Sequence, residues 1–126
     1  MSQRPALRLS GLVLDAPDAR GLADFYRRLL GWELGQDEPE WVTLVSPDGG
    51  AGLSFQSDAG YVPPVWPAGR GAQQMMMHLD IAVTDLAEAS AHAQGAGATL
   101  AEFQPQDDVR VHLDPAGHPF CLFLDA

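Results

Sequence analysis

His78 and Cys121 are the side chains whose types promise chemistry, with Asp80 two residues from His78. His78 opens the run His78-Leu79-Asp80-Ile81-Ala82-Val83, and in an extended strand residues two apart share a face, so Asp80 stands on the same side as His78. Cys121 is the single cysteine, which excludes an intrachain disulfide. A thiol beside an imidazole becomes a nucleophile when the histidine lowers its pKa, and both groups can also ligate a metal ion. Each has a plainer role: His78 as a pocket histidine hydrogen-bonded to a neighbour, Cys121 as a small hydrophobe in the apolar run Pro119-Phe120-Cys121-Leu122-Phe123. The remaining histidines read as peripheral. His118 sits in a turn, His112 on a strand surface, and His92 on the polar side of a helix near Glu88. All seven basic residues are arginine, so a lysine Schiff base and a phosphate-loop lysine are both excluded.

The elements that must position these groups come from hydrophobic period. Leu22, Phe25, Tyr26, Leu29 and Leu30 make an amphipathic stripe, predicting a helix from about Asp18 to Leu30 with Asp18 as cap and Gly31 as stop. Asp85 and Glu88 have capping-box spacing and open a second helix to about Gln94, stopped by Gly95 and Gly97. A strand-like run precedes each helix: Leu7 to Leu14 and Met75 to Val83. Three short β-prone runs follow each: near Trp32 to Leu34, Trp41 to Val45 and Leu53 to Phe55, then Thr99 to Phe103, Val109 to Leu113 and Phe120 to Leu124. Asp85 lies 67 residues after Asp18, while Pro115 and Gly117 lie 68 after Pro47 and Gly49. The chain therefore reads as one α+β domain, residues 1–126, of two tandem β-α-β-β-β modules. The first spans about 5–58, the second about 75–126, and a Pro- and Gly-rich linker spans about 59–74. Trp66 stands in that linker between Pro63-Pro64 and Pro67, where a rigid aromatic could serve as a lid or plug one end of the fold.

Charge narrows the partners. A net charge of −10 repels phosphate backbones and anionic headgroups, so neither nucleic acid nor membrane is expected to bind. No run approaches the roughly 20 apolar residues that span a bilayer. Met1 to Leu9 lacks the layout of a signal peptide, so a cytoplasmic location is the default expectation.

Three segments, Leu22-Ala23-Asp24-Phe25-Tyr26-Arg27-Arg28-Leu29-Leu30-Gly31-Trp32-Glu33-Leu34, His78 to Leu86, and Asp114-Pro115-Ala116-Gly117-His118-Pro119-Phe120-Cys121-Leu122-Phe123, stand in the order and spacing of signatures of the vicinal oxygen chelate superfamily. The chain resembles that superfamily of glyoxalases, bleomycin-resistance proteins and dioxygenases, and most of all a glyoxalase-like subgroup. The resemblance implies an eight-stranded open barrel enclosing a cup. It also implies a homodimer, a common state in the superfamily, and in metal-dependent members a ligand from the first and fourth strand of each module.

Carried over residue by residue, that ligand set falls on Gly11, Leu53, His78 and Cys121, of which only two can ligate and neither through oxygen. The expectation is a cup with no metal and no other cofactor, lined by Gly11, Val13, Leu53, Phe55, Met76, His78, Cys121 and Phe123, with Gln56 as a second polar anchor and Trp66 close by. Such a cup suits a small apolar or aromatic ligand, and an acidic surround favours a cationic one. The competing expectation is a metal-dependent lyase, isomerase or dioxygenase with a displaced ligand set drawing on Gln56, Asp15, Asp80 or His118.

Overall fold

A computed structural model describes residues 4–125. The terminal Met1 to Gln3 and Ala126 of the expected 1–126 domain lie outside the described residues. The order of elements is β1 (Gly11–Ala16), α1 (Ala19–Leu30), β2 (Glu33–Glu38), β3 (Trp41–Val45), β4 (Gly52–Ser57), β5 (Leu79–Val83), α2 (Leu86–Ala96), β6 (Thr99–Leu100), β7 (Val109–Leu113) and β8 (Pro119–Leu124). This is β-α-β-β-β twice. Each module folds as a four-stranded mixed sheet, ordered β1-β4-β3-β2 and β5-β8-β7-β6, with its first and last strands parallel.

Both helices form for the reasons their patterns give. In α1 the stripe of Ala19, Leu22, Ala23, Phe25 and Tyr26 is buried, and Arg27 and Arg28 complement the negative end of the helix dipole. Gly31 takes φ +73 and its N–H closes on the Arg27 carbonyl at 2.9 Å, a conformation that favours glycine. Asp18 stands at the N-cap with no side-chain hydrogen bond, unlike the expected cap. Asp85 does cap α2, accepting from the Glu88 N–H at 3.0 Å. Gly95 falls inside α2, and the helix stops at Gly97 instead.

The modules meet through α1. Phe25 approaches Phe120 at 5.8 Å, and Tyr26 lies between Phe55 of its own module, stacked at 5.7 Å, and Phe120 of the other, edge-on at 6.1 Å. These rings join Leu22, Val42, Leu44, Leu53, Ala93 and Leu122 in one core beneath both helices. Among the described residues the two sheets share no strand pairing, so the cup is open.

Several local expectations need correction. The strand predicted from Met75 starts only at Leu79, because Met76 adopts φ +61 and the Met77 N–H turns back onto the Met75 carbonyl at 2.6 Å. Met76 is consequently 82% exposed. His112 is fully buried, since it lies on the helix-facing side of β7 and stacks on Phe120 at 5.5 Å.

Candidate functional site

The concave face follows from strand alternation. Leu79, Ile81 and Val83 of β5 and Phe120 and Leu122 of β8 pack into the core, so His78, Asp80, Cys121 and Phe123 face the other way. The parallel pairing sets Asp80 opposite Cys121. His78 Nε2 lies 3.0 Å from Asp80 Oδ1, and one ligand-capable atom from each of His78, Asp80 and Cys121 lies within 4.8 Å of the others. Burial first, and then the Asp80 carboxylate, which accepts its hydrogen bond, push the Cys121 thiol up. That environment holds a protonated thiol, the opposite of what a cysteine nucleophile needs.

The first module repeats the geometry with other residues. Val13 pairs with Ser54 and Asp15 with Gln56, whose amide donates to Asp15 Oδ1 at 3.2 Å. Leu53 and Phe55, expected on the cup wall, point into the core at 5% and 0% exposure. Val13 lies 67 residues before Asp80, and Ser54, its strand partner, lies 67 before Cys121. The counterpart of Cys121 is therefore Ser54, not Leu53. The β3–β4 turn carries one residue more than the β7–β8 turn: Thr43 pairs with Ser54, 11 apart, whereas Val111 pairs with Cys121, 10 apart. The offset of 68 seen at the turn prolines returns to 67 in the last strand, and a one-residue slip exchanges the two faces of a strand.

Two cavities flank His78. The first, about 270 Å³, is a crevice between β1 and β5 bordered by Gly11, Val13, Met77, His78, His118 and the edge of Tyr26. The second, about 320 Å³, lies over the concave face of the second module, against His78, Asp80, Asp108, Val109, Cys121 and Phe123. The expected wall residues thus divide: Cys121 and Phe123 share the second cavity with His78, Gln56 stays on the first module, and Met76 projects to solvent. Trp66 borders neither cavity. Its indole N–H donates to the Phe103 carbonyl at 3.3 Å and its ring rests on Phe103 at 6.0 Å.

A polar network that the sequence reading missed backs the crevice. The Asp114 carboxylate, 4% exposed, accepts from Tyr26 Oη at 2.7 Å, from the Ala116 and His118 N–H groups at 3.0 and 2.9 Å, and lies 2.8 Å from His118 Nδ1. Tyr61, from the linker, donates to the Ala116 carbonyl at 2.9 Å and stands 3.3 Å from His118 Nε2. Burial, with the carboxylates of Asp114 and Asp15 adding to it, pushes the Tyr61 phenol up to about 12. Burial, reinforced by Asp114, pushes the Tyr26 phenol well above its ordinary value. Both tyrosines are therefore neutral hydrogen-bond donors at neutral pH. The Asp-Pro-Ala-Gly-His motif signalled a turn, but only packing brings Tyr26 and Tyr61 to it.

The resemblance implies a metal-ligand tetrad on the first and fourth strand of each module. Its four positions hold Gly11, Ser54, His78 and Cys121, with no carboxylate among them.

Comparison with known proteins places the fold. The pattern of the family described as "Glyoxalase-like domain" matches residues 11–123. No functionally curated protein has a significantly similar sequence. Among solved structures, a glyoxalase/bleomycin resistance protein/dioxygenase family enzyme from Burkholderia phytofirmans superposes with a TM-score of 0.70 at 17% identity, covering 94% of this chain and 98% of its own. A possible glyoxalase from Bacillus cereus gives 0.67 at 12% identity, covering 94% and 99%. A glyoxalase-related enzyme from Fulvimarina pelagi gives 0.64 at 19% identity, covering 95% and 89%. With the duplicated module, the open cup and a family match over nearly its whole length, this chain belongs to the glyoxalase-like domain family of the vicinal oxygen chelate superfamily.

Proposed function

We propose that the protein binds a small, mainly apolar or aromatic molecule in the crevice between β1 and β5, with His78 as the polar anchor. The observation that carries this reading is the crevice itself: about 270 Å³ between the modules, walled by Gly11, Leu12, Val13, Leu14, Met77 and Leu79. The other polar groups on its border are already engaged, Tyr26 Oη and His118 Nδ1 by Asp114. His78 is held through Nε2 by Asp80 at 3.0 Å, so its Nδ1 is the atom left to answer a ligand's donor or acceptor. A few polar groups in a mainly apolar concavity is the usual composition of a small-molecule site. The net charge of −10 favours a cationic guest.

A thermal-shift screen of aromatic metabolites and apolar amines supplies the probe compound. His78→Ala should weaken its binding by about 0.5–1.5 kcal/mol, the net worth of one hydrogen bond. Val13→Phe should fill the crevice and abolish binding with the fold intact. If both variants bind the compound as tightly as the parent, the crevice is not the site. A second reading, a metal-dependent enzyme with a displaced ligand set, rests on one specific observation: Asp80 brings an oxygen ligand beside His78 and Cys121.

A further inference from the structure

Three features of the second cavity converge. His78, Asp80 and Cys121 offer nitrogen, oxygen and sulfur donors within 4.8 Å of one another, the one such group of three among the described residues. They are held by backbone rather than by chance side-chain reach: Asp80 and Cys121 are direct partners in the β5–β8 ladder, and His78 immediately precedes β5 on the same face. One side of the group opens onto the cavity of about 320 Å³ that all three residues border.

We propose that His78, Asp80 and Cys121 form a binding site for a thiophilic divalent ion of the zinc type, contained entirely in the second module. The site is displaced from the tetrad of the metal-dependent relatives, two of whose positions, Gly11 and Ser54, contribute nothing here. Zinc ligands stand roughly 2.0–2.3 Å from the ion, so tetrahedral ligands lie about 3.3–3.8 Å apart, and the trio's donor atoms, within 4.8 Å of one another, close on the ion to bind it. Three protein ligands leave a fourth position for water or a donor atom of a small molecule. The mixed donor set selects zinc or cobalt(II) over magnesium or calcium, which require oxygen ligands throughout. On binding, the Cys121 S–H proton passes to solvent and the thiolate takes its place on the metal. Asp80, the direct partner of Cys121 in the ladder, becomes a ligand alongside it.

Cobalt(II) is the direct probe, added to the tag-free, chelator-treated full chain. The expected result is one equivalent bound with a thiolate-to-cobalt charge-transfer band, displaced by zinc. With a single cysteine in the chain, that band reports Cys121 alone. Cys121→Ser should remove the band, and His78→Ala and Asp80→Asn should each weaken binding more than about tenfold. His92→Ala, remote in the sequence on α2, should change nothing. Zinc should also protect Cys121 from alkylation, read by mass spectrometry on the unsubstituted protein, so the result does not depend on any variant folding. No binding at micromolar metal, binding without the charge-transfer band, or alkylation unaffected by zinc would each overturn the proposal. None of these measurements uses the crevice ligand, so failure here leaves the crevice reading standing, and the reverse.

Discussion

Tyr26 of α1 donates a 2.7 Å hydrogen bond to the buried carboxylate of Asp114, 88 residues away in the other module. Apart from ring packing, it is the most buried tie across the module boundary, and it backs the crevice. Asp114 retains three N–H partners without it. Tyr26→Phe should therefore cost only about 1.5–3 kcal/mol, the range for a hydrogen bond to a charged group. Asp114→Ala should cost more, because it strands a buried phenol and two turn N–H groups together. Urea unfolding of both variants checks the order, and equal losses would contradict it.

His112 should make the fold sensitive to mild acid. Gln94 donates to Ser90 Oγ, Ser90 donates to His112 Nε2 at 2.8 Å, and Nδ1 faces the Arg110 carbonyl at 3.2 Å, a chain that suits a neutral ring. Burial, with the Arg110 charge adding to it, lowers the His112 pKa despite the Arg110 carbonyl contact. The unfolded chain then takes up its proton first as pH falls. The stabilisation is complete above the ordinary histidine value of about 6.5 and declines as pH drops below it towards the lowered folded value. The Tm should fall between pH 7.5 and 5.5, and His112→Gln should flatten that slope. An unchanged slope would show that other groups dominate.

Two glycines should respond in opposite directions to alanine. A Cβ on Gly52 would meet the Leu44 carbonyl oxygen at 2.5 Å, a backbone atom that cannot move aside. Gly52→Ala should cost about 1–3 kcal/mol. Gly95 lies exposed inside α2 with nothing within 4 Å of its Cβ position, so Gly95→Ala should stabilise by about 0.5–1 kcal/mol. Denaturation midpoints decide both, and a stabilised Gly52 variant would refute the strand packing described above.

The edges of the two sheets bear on assembly. β2 is exposed along its whole length and β6 is only two residues long, which leaves unpaired backbone groups at both edges. A homodimer that covers one of them is the expected state in solution. Light scattering at micromolar concentration should give twice 13.5 kDa, and a mass near 13.5 kDa would reject the dimer.

Helix positions, the duplicated module and the family fold were legible in the sequence because they rest on local patterns: the Leu22-to-Leu30 stripe, the Asp85–Glu88 capping pair, and the repeated Pro and Gly of the two turns. His78 and Cys121 stood out as candidates for the same reason, each carrying its chemistry in its own type. Which side chains share the site was a different matter. A turn one residue longer between β3 and β4 shifts the last strand of the first module, and since alternate residues face opposite ways, that slip puts Ser54 on the concave face and sends Leu53 and Phe55 into the core. The same dependence on packing explains the rest. Nothing local in Tyr26 foretells Asp114, 88 residues away, and the left-handed turn at Met76 delays the start of the expected strand from Met75 to Leu79. Asp80 could be placed beside His78 from sequence alone, but its pairing with Cys121 exists only once β5 and β8 lie side by side. Local pattern determined the elements of this protein. Strand register, set by turn length and the packing of α1 across both sheets, decided which residues meet.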